Sequence, residues 1–157
     1  MHGNRYALGM SRLHSCGALL LALTLCQLRG EDPASYQKVA AKAFQFEISQ
    51  IRRDCPNADT TFEENICLGS VDETTQRNFR TFYSSLRNLL NPASDAVQQL
   101  DSSQAKWEKY STSACHAVYA VYRDGTIRNA KAVGCRIQLT RSRMQDLDAL
   151  YDTVLHR

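Results

Sequence analysis

The sequence predicts an all-α protein, a small antiparallel bundle of about four helices held by two disulfides. Three observations predict it. From Pro33 onward apolar residues return at steps of three and four, turn-forming residues interrupt that rhythm at only three places, and four cysteines flank the first and last of those turns. A length of 157 residues allows one compact domain and little more.

Residues 1–30 read as a signal peptide. Arg5, Arg12 and His14 precede an unbroken apolar run from Cys16 to Cys26, and polarity returns at Gln27. That run is too short to cross a bilayer, which takes about 20 residues. The small-residue rule permits cleavage after Cys26 or after Gly30, and the second is taken as the boundary of a 31–157 domain. A lipoprotein would carry its acyl chain on Cys26, but that needs a small residue just before it, where Leu25 stands.

The first helix is expected from Pro33 to about Arg53. Pro33 suits a first turn, and Ala40, Phe44, Ile48 and Ile51 form one stripe. Pro56 forbids its continuation, and Asp59 or Thr60 can cap the next helix. The second, from about Thr61 to Leu90, carries Ile66, Leu68, Val71, Phe79, Phe82, Tyr83, Leu86 and Leu89, with a kink or short break possible near Gly69. Asn91-Pro92 ends it. The third starts near Ser94-Asp95 and continues through Val97, Leu100, Gln104, Trp107, Ala114, Val118 and Val121 to the Asp124-Gly125 turn. The fourth, Ile127 to Leu155, places Val133, Ile137, Thr140, Met144, Leu147, Tyr151 and Val154 at alternating steps of four and three, the seam of an antiparallel bundle.

Removing the leader leaves Cys55, Cys67, Cys115 and Cys135, an even number in an oxidising compartment. Three connectivities exist, and geometry selects one. Cys115 and Cys135 each lie ten residues from Gly125, so antiparallel helices three and four bring them to the same height. Cys55 and Cys67 flank the Pro56 turn in the same way. The closed loops, of 13 and 21 residues, should each stabilise by about 3 kcal/mol. A metal site is disfavoured, because no Cys-x2-Cys knuckle occurs and His116 and His156 are the only histidines after the leader.

The whole chain carries a net charge of +3, but Arg5, Arg12 and Arg29 leave with the leader, so the remaining bases and acids balance. This gives no electrostatic case for nucleic acid or an anionic membrane. The distribution is uneven. Asp54, Asp59, Glu63, Glu64, Asp72 and Glu73 fall in a stretch without Lys or Arg, whereas Arg123, Arg128, Lys131, Arg136, Arg141 and Arg143 are opposed only by Asp124.

These residues follow an ordered pattern. Asp54-Cys55-Pro56-Asn57-Ala58 is followed by Glu63-Glu64-Asn65-Ile66-Cys67, then by Tyr83 and Leu86, then by Gln104-Ala105-Lys106-Trp107 with Tyr110 and Cys115. Cys135-Arg136-Ile137-Gln138-Leu139-Thr140-Arg141 and Leu147 close it. The pattern resembles the lysozyme-inhibitor LprI-like domain of bacterial envelope proteins (DUF1311-type), and the likeness covers about Asp54 to Leu150. Two departures stand out. Ser111-Thr112 replaces the Arg-Asp that members usually carry after the third-helix tyrosine, and Arg80 replaces an Asn before the second-helix tyrosine.

The resemblance implies an exported binding protein, periplasmic or extracellular, that blocks lysozyme or another peptidoglycan hydrolase by occluding its cleft. An immunity protein against an amidase and a non-inhibitory structural or envelope-stress protein are the competing readings. Asp59, Glu63 and Glu64 are the candidate partner contacts, because an acidic, disulfide-clamped loop suits a cationic cleft. Their competing role is to neutralise the basic stretch or to act as first-turn helix charges. Trp107, Tyr110, Leu139, Thr140 and Arg141 are assigned to the structural motif, Trp107 as core and Arg141 as a tie between helices. No cysteine is left free, and no phosphate loop or metal motif occurs, so neither an enzyme nor a cofactor is expected. No small-molecule substrate is expected either, and a membrane enters only through lipidation of Cys26.

Overall fold

A computed structural model describes residues 32–51, 54–91 and 94–156. The expected signal peptide lies outside the described residues, as does Arg53, the expected end of the first helix. The described chain forms α1 (Pro33–Gln50), α2 (Thr61–Leu89), α3 (Asp95–Val121), α4 (Arg128–Leu150) and a single turn, α5 (Asp152–Leu155), with no strand among the described residues.

Side chains satisfy free backbone N–H groups at the starts of α1 and α2, whereas α3, α4 and α5 begin without a side-chain cap. Asp32 caps α1 by accepting from the Ala34 N–H, with Pro33 in the first turn. Thr60 caps α2 in a reciprocal box: its hydroxyl accepts from the Glu63 N–H, and the Glu63 carboxylate accepts from the Thr60 N–H. α2 then runs 29 residues straight through Gly69. No break interrupts the helix there, since a glycine weakens a helix by only about 1 kcal/mol. The expected fourth helix is divided at Tyr151, which leaves helical geometry before α5.

The helices make a compact antiparallel bundle in which α2 packs against α1 on one side and α4 on the other, while α3 lies along α4. Side chains also join α3 to α2. The Trp107 ring lies 5.8 Å from that of Phe79, and the Tyr83 hydroxyl donates to Asp101 at 2.9 Å. Trp107 is therefore half-buried at the α2–α3 contact. The main core gathers Ala40, Ala43, Phe79, Phe82, Leu86, Leu100, Met144, Leu147 and Leu155. Each fully buried large side chain here contributes about 1.5–3 kcal/mol. A smaller cluster of Leu68, Ala130 and Ile137 sits beside Cys55.

A buried polar layer joins α1, α2 and α4. Glu47, 0% exposed, accepts from Arg141 at 3.0 Å, from the Thr75 hydroxyl at 2.9 Å and from the Asn78 amide. Arg141 also donates to both oxygens of Asp54 in the turn before α2. Burial alone would lower the Arg141 pKa, but the hydrogen bonds to Asp54 and then Glu47 outweigh it and hold the guanidinium above its ordinary value. The apolar stripes meet limits at their ends. Ile51, Ile66 and Val121 continue the helical rhythm yet are exposed, because no neighbouring helix covers those faces.

No described helix is long and apolar enough to cross a membrane.

Candidate functional site

The acidic end of α2 is built on the first disulfide. Cys55 and Cys67 are bonded with their Cα atoms 5.9 Å apart, which closes the turn over residues 54–60 onto the second turn of the helix. Cys55 has φ of 53°, in the left-handed region that non-glycine residues rarely enter. The disulfide and the bond from the Ala58 N–H to the Cys55 carbonyl hold it there. The second bridge, Cys115–Cys135, joins α3 to α4 with Cα atoms 5.6 Å apart. Both pairings are those the spacing selected.

The acidic stretch divides into two sets. Asp54 and Asp72 turn inward to partners in the basic stretch, Asp54 to Arg141 and Asp72 to Arg136 in a bidentate pair. Asp59, Glu63, Glu64 and Glu73 remain on or near the surface. Glu63 is occupied locally as well. One carboxylate oxygen accepts from the Asp59 N–H, the Thr60 N–H and the Thr60 hydroxyl at 3.0–3.1 Å. The Thr60 hydroxyl first, then the Thr60 and Asp59 N–H groups, hold its pKa below the ordinary Glu value. Glu63 therefore stays anionic to lower pH than a free glutamate while fixing the start of α2. Glu64 is half-buried in a groove with Leu68, Val118 and Tyr122.

Thr140 is fully buried and accepts from Gln76, and Arg141 is the tie just described. Leu139 is half-buried, whereas Tyr110 is exposed. In a Leu-Thr-x2-Arg spacing the closing arginine falls at Arg143, which donates to Gln104 and Ser103 of α3. Arg141 and Arg143 thus tie α4 in two directions. Ser111 and Thr112 line a shallow groove between α3 and α4 with His116, Tyr119 and Arg136. Among the described residues no group of His, Cys, Asp and Glu is placed to hold a metal ion.

Two features had weak signals in the sequence. Glu47 stands on the apolar face of α1, four residues after Ala43 and three after Phe44, a place where a carboxylate needs a buried cation. Ile66 reads as a core residue at helical spacing, yet it is 60% exposed, and Phe62 one turn before it is 72% exposed.

Neither a curated protein nor a solved structure matches the chain. A family model described as lysozyme inhibitor LprI matches residues 52–147, a span that contains both disulfides, the ion-paired Asp72–Arg136 and the Trp107 contact. With well over half of its length inside that match, the chain belongs to the lysozyme inhibitor LprI family.

Proposed function

We propose that this protein inhibits a lysozyme by binding it and performing no chemistry, with the disulfide-clamped start of α2 as the contact. The observation that carries this reading is the surface at that end. Asp59, Glu63 and Glu64 lie within six residues of one another on a turn held by a bridge and a capping box, with no Lys or Arg between Asp54 and Glu73. Lysozymes are basic, so such a surface steers their encounter, and its rigidity lowers the entropy lost on docking. The internal pairing of Asp54 and Asp72 narrows the candidate contact to the acids that still face solvent.

Residues 1–30 are proposed as the leader that exports the chain to the periplasm or beyond. Disulfides persist in such compartments, and the two bridges fit that destination.

The test uses the oxidised protein exported from its full-length chain. Wall lysis by a c-type lysozyme, a g-type lysozyme and an amidase is followed at equal enzyme concentration. Inhibition of a lysozyme at micromolar protein is expected. Unchanged rates for both lysozymes sink this reading, and inhibition of the amidase alone would favour an immunity protein. Replacing Asp59 with Asn and Glu63 and Glu64 with Gln should slow association and flatten its salt dependence. Gln at position 63 can still close the capping box, so the variant removes charge without removing the cap.

A further inference from the structure

The face of α2 turned away from the core carries a stripe that nothing else in the described chain uses. Phe62, Ile66, Gly69 and Glu73 follow at steps of four, three and four, which sets them in one row. The buried row, Leu68, Asp72, Thr75, Phe79, Phe82 and Leu86, points elsewhere on the same helix. Phe62 at 72% and Ile66 at 60% exposure form an adjacent apolar pair, not isolated surface residues.

Gly69 is unexplained by the fold. Glycine is among the poorest residues for a helix interior, and a Cβ built there would meet no atom within 4 Å. Neither packing nor backbone conformation among the described residues requires it. A partner surface lying close along the helix would, since a glycine lets another molecule approach the backbone beyond Ile66.

We infer that Phe62 and Ile66 are the apolar anchor of the complex, seated in the cleft of a basic lysozyme, with Gly69 the point of close approach and the surrounding acids the rim. This rests on the lysozyme-inhibitor reading and adds to it the division of labour within the site. The occupant follows from charge complementarity. The pair is set among Asp59, Glu63 and Glu73, all exposed, in a stretch without a basic residue, which suits a cationic protein. Hot spots are large desolvated side chains at the centre of a contact, and rim charges act mainly on the encounter. Phe62 lies in the first turn and Ile66 in the second, both between the cap residue Thr60 and Cys67, so the anchor is presented already ordered.

The test is binding kinetics of the oxidised, exported full-length protein to whichever lysozyme the wild type inhibits. Phe62→Ala with Ile66→Ala should raise the dissociation rate tenfold or more while the association rate stays within about twofold. The charge variant at positions 59, 63 and 64 should do the reverse. Gly69→Ala should raise the thermal midpoint and yet weaken binding. Gly134→Ala, a second open helical glycine on α4, should raise the midpoint without weakening binding. A wild-type dissociation rate in the double variant, with the fold intact by circular dichroism, overturns the anchor and leaves the inhibitor reading standing. A wild-type dimer that the double variant dissolves also overturns it, because the occupant is then a second copy. If the wild type inhibits no lysozyme, the anchor falls together with the function.

Discussion

Glu47 and Arg141 meet in the interior from α1 and α4, and neither has water to fall back on. Glu47 receives Arg141, Thr75 and Asn78, so its charge is both paired and hydrogen-bonded. Removing Arg141 leaves Glu47 charged, buried and without its cation, a loss of about 3–5 kcal/mol, whereas removing Glu47 leaves Arg141 paired with Asp54 and costs less. Arg141→Ala should show the larger fall in unfolding free energy by urea titration and Glu47→Ala the smaller. The double replacement Glu47→Leu with Arg141→Met should recover only part of the loss, since apolar substitutes for a buried pair are often neutral but Asp54 loses the same arginine. Glu63 gives a different expectation, one of pH. Its folded pKa lies below the unfolded value near 4.5, so its stabilising effect is present at neutral pH and is lost as the pH falls through that value and below. Unfolding free energy measured across the acid range should fall less steeply in Glu63→Gln than in the wild type.

At the scale of the element, the caps and glycines of α2 and α4 decide how well each helix holds. Thr60→Ala removes the hydroxyl half of the capping box and should lower stability by about 1 kcal/mol, read from chemical denaturation. Gly134→Ala should raise it by about the same amount, because the added methyl meets open space in a continuous helix. The helical periods were legible in the sequence over all four long segments, since each stripe is a local property of spacing. Where the stripes stop being buried was not. Ile51, Ile66 and Val121 keep the spacing but lie on faces that no other described helix covers, and only the packing of neighbours decides that.

For the whole molecule, the two disulfides have different neighbours. Cys115–Cys135 joins two long helices already in contact, whereas Cys55–Cys67 shapes the turn that bears the candidate contact. Replacing either pair with alanines should lower stability by about 3 kcal/mol. Losing Cys55–Cys67 should weaken lysozyme binding more than losing Cys115–Cys135, measured at a temperature where both variants remain folded. Equal losses would mean that both bridges serve stability alone.

The sequence by itself determined the all-helical class, the three turns between the long helices, the pairing of four cysteines and the membership that their order signals. All of these depend on spacing along the chain. The tertiary structure alone decided which charges are available. Six acids look equivalent in the stretch from Asp54 to Glu73, yet Asp54 and Asp72 are taken by arginines 87 and 64 residues away. It also turned Glu47 into a core residue and left Phe62 and Ile66 outside. The reason is physical: a helical period says that one face is apolar, but burial and ion pairing are settled by what packs against that face from distant parts of the chain.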